Sequence, residues 1–390
     1  MAQPHMALKQ YFRKLRDPRV RGRKRHLLLD LVAITICATI GGCDDWQQIE
    51  TFARARYDWL KTFLRLPNGI PSHDTFERVF DRLDPQAFQA CFRDWMHALH
   101  EALGLSQIAI DGKTLRGSGV GGCKPLPVVS AWATANCLSL GQVAVDEKSN
   151  EIPAIPKLLE LLDLHGALVT IDAMGCQKAI AAKVVERGGD YVLTVKENQE
   201  HLLADIRAAL NQAYESDFAG LEHDTYETRE RGHGREEYRC YTVLHATAGV
   251  RQAADGAGLT TIGFCYSERT VGGVTGEELR YFIGSTKARA KVYGKALRNH
   301  WGIENTLHWQ LDVCFNEDKN RVSKRHGAEN LALVRRLALS LLKQHPDKRS
   351  LACKRLLAAL DPTFLEEVLR GDSNLGKLLC VGPGGQIGPG

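Results

Sequence analysis

The sequence predicts a mixed α/β sheet, preceded by a helical segment and interrupted by a β insertion. Three observations carry this. Residues 1 to about 100 show helical periodicity. From residue 107, apolar strand-like runs alternate with helical stretches, and a strand–helix–strand unit requires parallel strands. From about 220 to 285 the pattern turns to strands separated by Gly-rich turns, after which helical periodicity resumes.

The helical segment opens with "RKLRDPRVRGRKR" (13–25), eight basic residues against the single acid Asp17. The apolar stretch Leu27–Ile40 is broken by Asp30. It is shorter than the ~20 residues a bilayer span needs, so it reads as a buried helix and not as a membrane span or secretion signal. In residues 45–64, Trp46, Ile49, Phe52 and Phe63 lie among charges, as in an amphipathic helix. Pro67, Asn68 and Gly69 mark a turn, Ser72 is a candidate N-cap, and Phe76, Val79 and Phe80 form the next apolar face. Such a region with basic flanks suits a structural or dimerisation module as well as DNA engagement, because a basic run by itself is usually a solvated face.

"QIAID" (107–111) reads as a strand ending in Asp111, and "PVVSAWATAN" (127–136) and "LSLGQVAV" (138–145) complete an antiparallel meander. A helix over 149–164 follows, then the strand "ALVTID" (167–172), a helix over 176–189 and the strand "DYVLTV" (190–195). Together they describe one mixed sheet with covering helices. "EYRCYTVL", "TTIGFCYSER" and "ELRYFIG" are the strands of the insertion. Helices return over 287–311 and 327–344.

With 390 residues, 44% hydrophobic and 25% charged, the chain has the composition of an ordinary soluble globular protein long enough for more than one structural unit. A net charge of +5 permits a nucleic-acid partner without demanding one. Eleven scattered cysteines, odd in number and with no CxxC pair, argue against a zinc ribbon or a disulfide framework and suit a reducing, cytoplasmic setting. The Gly- and Pro-rich tail, 376–390, lacks the means to form a core and is expected to be disordered.

Gly117, Gly119 and Gly122 match G-x-G-x-x-G, but they fall past the strand and no helix follows, so the dinucleotide reading fails. Cys123 between Gly122 and Lys124 breaks the phosphate-loop pattern too.

Three acids occupy special places: Asp111 and Asp172 at strand ends, and Glu304 within a helix that carries His300, Trp301, His308 and Leu311 near the same face. A carboxylate ending an apolar strand is costly unless something positive meets it. Two of them on adjacent strands, about 4.8 Å apart, would repel unless a cation intervened. Hard oxygen ligands of this kind suit Mg²⁺ or Mn²⁺. Asp312 and the acids of "NED" (316–318) compete with Glu304 as the third ligand.

The blocks "IAIDGKTLRGS", "KSNEIPAIPKLLELLDL", "VTIDAMGCQ", "DYVLTVKENQ", "RERGHGREEYR" and "RNHWGIENTLHWQLDVCFNEDKNR" resemble the DDE transposases of bacterial insertion sequences, in the group of the H-repeat-associated proteins. The resemblance runs over about residues 5 to 375. It implies a helical transposase-associated domain over 1–100, with a probable DNA-binding role, and a ribonuclease-H-like catalytic domain over 101–375 holding the β insertion. It implies catalytic, metal-holding Asp111, Asp172 and Glu304, with two Mg²⁺ or Mn²⁺ ions. The activity implied is cleavage of DNA at transposon ends and transfer of the freed 3′-hydroxyl into target DNA. The implied partners are double-stranded DNA and a second copy of the chain, since two ends must meet; no membrane is involved, and the setting is the cytoplasm, at the nucleoid. Lys113, Arg116, Lys196, Asn198, His233, Arg235, Arg298, His300, Trp301, His308, Lys319 and Arg321 are the candidate DNA contacts. Many relatives place Tyr, Arg and Lys around the glutamate; here those positions hold Leu297, His300 and Leu311, leaving His300, Arg298 or Lys319 to meet the phosphate.

Overall fold

The computed structural model describes residues 5–370 except 21, 23, 104–106, 120–121, 123, 147–148, 233, 246–249 and 251–256. The C-terminal tail and His233 therefore lie outside the described residues. The described residues begin with six helices: α1 (His5–Phe12), α2 (Leu28–Ile40), α3 (Trp46–Ala55), α4 (Tyr57–Lys61), α5 (His73–Phe80) and α6 (Pro85–Leu103). Then come β1 (Gln107–Leu115), β2 (Leu126–Ala133), β3 (Leu138–Ala144), α7 (Ala154–Glu160), β4 (Leu168–Ile171), α8 (Lys178–Glu186), β5 (Asp190–Val195) and α9 (Glu200–Glu215). The insertion holds β6 (His223–Gly232), β7 (Arg235–Leu244), β8 (Thr261–Val271) and β9 (Val274–Gly284). The chain closes with α10 (Ala290–His300), α11 (Trp309–Cys314), α12 (Arg325–Gln344), α13 (Leu351–Leu360) and α14 (Pro362–Arg370).

Among the described residues the strand order is β3-β2-β1-β4-β5-β9-β8-β7-β6. β1, β4 and β5 run parallel, whereas β2 and β3 pair antiparallel. The 3-2-1-4-5 order with these directions is that of a ribonuclease-H-like sheet, as expected, and the insertion extends it antiparallel from β5 through β9. Two compact units divide the chain: Leu105–Asp111 with Ser149–Ile303, and Met1–Gly104 with Gly112–Lys148 and Glu304–Gly390. The helical N-terminal region thus shares a unit with β2, β3 and the C-terminal helices, a grouping that chain order does not reveal.

In that second unit α2 is buried almost throughout. Asp30, which breaks its apolar run, is itself buried and accepts from the Leu66 amide at 2.9 Å. A buried carboxylate needs such a donor. Ser72 sits at the N-cap of α5, but its hydroxyl meets Thr75 Oγ1 at 3.2 Å and makes no cap bond. α12 packs on α2, α5, α6 and the β2–β3 pair, and Asn330 donates to the carbonyls of Phe80 (2.9 Å) and Leu83 (3.0 Å). Gly117 belongs here too. A Cβ at this position would strike the backbone carbonyls of Asn320 and Asp318, so the glycine serves close chain approach and not a nucleotide.

In the first unit a core of Val192, Val243, Phe282, Ala290, Tyr293 and Ala296 joins α10 to one face of the insertion. Three local expectations shift. Among the described residues the insertion has four strands, because β6 ("HDTYETRERG") is a charged strand with no apolar alternation to betray it. α9 is a further amphipathic helix between β5 and the insertion. The helix expected over 287–311 is broken: α10 ends at His300, and Glu304–His308 forms one π-helical turn ahead of α11.

Candidate active site

Asp111 and Asp172 belong to the same unit. Parallel pairing of β1 with β4 ends at Ile110 opposite Ile171. Each aspartate is therefore the next residue on its strand, and the two carboxylates leave adjacent strands at the same level. β1 does not stop at Asp111, contrary to the sequence reading, but continues to Leu115. What ends at Ile110 is the pairing with β4. Both aspartates are half-buried. Asp172 also caps the turn that follows: its Oδ1 accepts from the amides of Met174 (3.2 Å) and Gly175 (3.4 Å). Gly175 is required there, since a Cβ would meet Ile171 and, at 3.3 Å, Ile155 of α7. Asn198 braces the same turn by donating to the Ala173 carbonyl at 2.7 Å. This candidate DNA contact thus also supports the Asp172 turn.

A buried polar chain ties α10 to these strands. The Gln107 amide donates to Thr170 Oγ1 (3.2 Å) and to the Ala296 carbonyl (2.7 Å), and Thr170 Oγ1 lies 3.1 Å from His300 Nδ1. Burial lowers the His300 pKa, against the opposing pull of Asp172. His300 is thus held against β4 and does not point freely at a phosphate. Gln107 and Thr170 escaped the sequence reading; their one signal is a polar residue inside each apolar strand. Trp301 is 45% exposed, with the Arg280 guanidinium 4.0 Å from its ring centroid. Arg298 pairs with Glu230, Arg235 lies 3.4 Å from Glu237, and Lys196 is exposed just past β5.

Glu304 lies in the other unit, exposed, as the first residue of the π-helical turn. Turns of this kind are frequent at functional sites. The turn rephases the helix so that Leu307 and Leu311 are buried and Glu304 is not. The competing acids are committed elsewhere in the same unit. Glu317 is buried against Arg336 at 2.9 Å. Asp312 and Asp318 hold Lys113, at 2.7 and 3.2 Å. Lys113, 8% exposed, is thus an internal cation of this unit. His308 is unfit to meet DNA as a cation: burial first, then Arg336 and Lys113, push its pKa down to about 3. Arg116, Lys319 and Arg321 are exposed, Arg116 lying 3.7 Å from Asp318.

Among the described residues no three His, Cys, Asp or Glu side chains gather closely enough to hold a metal. The Asp111–Asp172 pair nonetheless fits a hard divalent cation by its chemistry: two carboxylates, no soft donor, and a backbone-anchored oxygen on Asp172. Among the described residues no helix is long and apolar enough to cross a membrane.

Residues 103–341 match the transposase DDE domain family, and residues 9–96 match the DDE_Tnp_1-associated family. YncI of Escherichia coli O157:H7 is 40% identical over 95% of this chain and 96% of its own. The H repeat-associated YhhI of Escherichia coli K12 is 39% identical over 91% of this chain and 95% of its own. Both carry transposase names. A cryo-EM structure of a piggyBac transposase synaptic complex with hairpin DNA is similar at a TM-score of 0.44 and 11% identity, covering 98% of this chain and 83% of that one. The sequence matches, over most of the chain and over both of its family segments, establish that this protein belongs to the DDE transposases.

Proposed function

We propose that the protein cuts DNA at the ends of a mobile element and joins the freed 3′-hydroxyl to target DNA. The observation that carries this is the placement of Asp111 and Asp172 at the same level on adjacent parallel strands, in a chain of the DDE family. Glu304 is the third acid, favoured because Asp312, Glu317 and Asp318 are each engaged with a cation. These three carboxylates would hold two Mg²⁺ or Mn²⁺ ions, which when bound activate the attacking oxygen and stabilise charge on the phosphate.

The chain's own part is positioning. The Met174 and Gly175 amides and Asn198 fix the Asp172 carboxylate and its turn. The Gln107–Thr170–His300 chain fixes α10 against β4. Positioning and charge neutralisation account for most of the catalysis in phosphoryl transfer. Arg116, Lys196, Arg235, Arg298, Trp301, Lys319 and Arg321 supply exposed contacts to DNA. Two copies would act together, one for each element end.

The test is a strand-transfer assay with duplexes carrying the element's terminal sequence and a plasmid target. Joined product that disappears in Asp111→Ala is the expected result. Cleavage without joining would reduce the protein to a nuclease, and no difference between Asp111→Ala and wild type would make it a DNA-binding relic.

A further inference from the structure

The insertion has two unlike faces. Strand register puts Arg235, Glu237 and Arg239 of β7 on one face, with Glu230 of β6 and Arg269 of β8 beside them. α10 covers the inner part of this same face. Glu237 alone serves three arginines: Arg239 at 2.6 Å, Arg235 at 3.4 Å and Arg269 at 3.7 Å. Glu230 is shared by Arg298 and, at 4.0 Å, Arg239. Four guanidinium groups, those of Arg235, Arg239, Arg269 and Arg298, meet Glu230 and Glu237, and the same face adds Asp224 of β6 and the mutually paired Glu278 and Arg280 of β9, so a positive excess remains.

α10 continues it. Its sequence, "AKVYGKALRNH", has no acid. Lys291, Lys295 and Arg298 fall at helical spacing and are all exposed, while Ala290, Tyr293 and Ala296 face the core. Lys291 lies 5.9 Å from the ring centroid of Tyr226, on the same side of the sheet. Through His300 the end of the helix is tied to Thr170 of β4, two residues from Asp172.

The opposite face is acidic. It carries Glu227, Glu236, Glu268 and Glu277 against Arg229 and Arg231. Arg231 is paired with Glu236 at 2.5 Å, and Arg229 lies over Tyr238 at 5.1 Å.

We propose that duplex DNA runs along the outer side of α10 and onto the α10-covered face of the insertion, its phosphates held by Lys291, Lys295, Arg298, Arg239, Arg235 and Arg269. The inference rests on the transposase reading above and adds which surface carries the DNA and which repels it. The Arg298–Glu230 pair is exposed and no obstacle, because surface ion pairs contribute little and phosphate can replace the carboxylate; Glu237 is largely buried and stays shared among its three arginines, of which Arg235 and Arg269 are exposed. Backbone contact of this sort is independent of sequence and strongly salt-dependent.

The test compares two double variants with equal loss of charge, Lys291→Gln with Lys295→Gln and Arg229→Gln with Arg231→Gln, in the full chain. Binding of a fluorescent duplex is measured by anisotropy against KCl concentration. The α10 variant should flatten the log–log salt slope by about 2, at ~0.9 per phosphate contact, and weaken binding at least about tenfold. The opposite-face variant should track wild type. An unchanged slope in the α10 variant, or equal flattening in both, overturns the proposal while leaving the transposase reading intact. Failure of wild-type protein to bind the duplex at any salt overturns both.

Discussion

The ammonium of Lys113 lies 2.7 and 2.9 Å from the two carboxylate oxygens of Asp312, with Asp318 Oδ1 a further contact at 3.2 Å. Two acids share one buried cation, so removing it takes the cation from Asp312 and leaves Asp318 with Arg116 alone. Burial raises the Asp312 pKa while Lys113 pulls it down. Lys113→Met should therefore cost about 2–4 kcal/mol, in the range for breaking a largely buried pair, read from urea unfolding. Were Lys113 instead a phosphate contact, stability would hold and the salt slope of DNA binding would fall; that pattern would refute the internal role.

Asp111→Asn and Asp172→Asn should each cut strand cleavage by at least about 10², since a lost metal ligand removes several kcal/mol of transition-state stabilisation. Asp172→Ala, unlike Asp172→Asn, should also lose some stability, since it removes the oxygen that caps the 173–175 turn. Cleavage at the wild-type rate in either variant would remove that residue from the site.

Chelation separates binding from chemistry. With EDTA present, cleavage of a labelled end duplex should stop while its gel shift persists, because the basic contacts need no metal. Adding back Mg²⁺ or Mn²⁺ should restore cutting. Persistent cleavage in EDTA is the outcome that defeats the metal scheme.

Glu329, on α12, supplies a pH prediction. Burial pushes its carboxyl up to about 7, against the pull of Arg325 and the Ala144 amide. The native state then binds a proton that the unfolded chain releases near pH 4.5, so stability falls as pH rises between these values and is lowest above 7. Glu329→Gln should be unaffected near pH 4 and gain up to about 3 kcal/mol above pH 7, at ~1.4 kcal/mol per unit. Parallel wild-type and variant curves of stability against pH would contradict it.

Much of the site was legible locally. Asp111 and Asp172 announced themselves because each follows an apolar strand, where a charge is costly without a partner. The β6 strand was hidden for the converse reason: its residues are almost all polar or charged on both faces, so no apolar alternation marks it. The break after α10 was hidden as well. "HWGIENTLHW" keeps helical spacing, and only the burial of Leu307 and Leu311 beside an exposed Glu304 reveals the extra residue in the π-helical turn.

The sequence by itself determined the fold class, the order of most elements and the family, and nominated the two strand-borne acids, since these rest on residue types and short-range periodicity. Tertiary structure alone decided which charges face outward. Lys113 and Asp312 stand 199 residues apart and Arg336 and Ser130 stand 206 apart, so no local window shows that these cations are spent inside the protein. Charged groups become structural or functional according to what desolvates and pairs them, and that is settled only when distant segments pack.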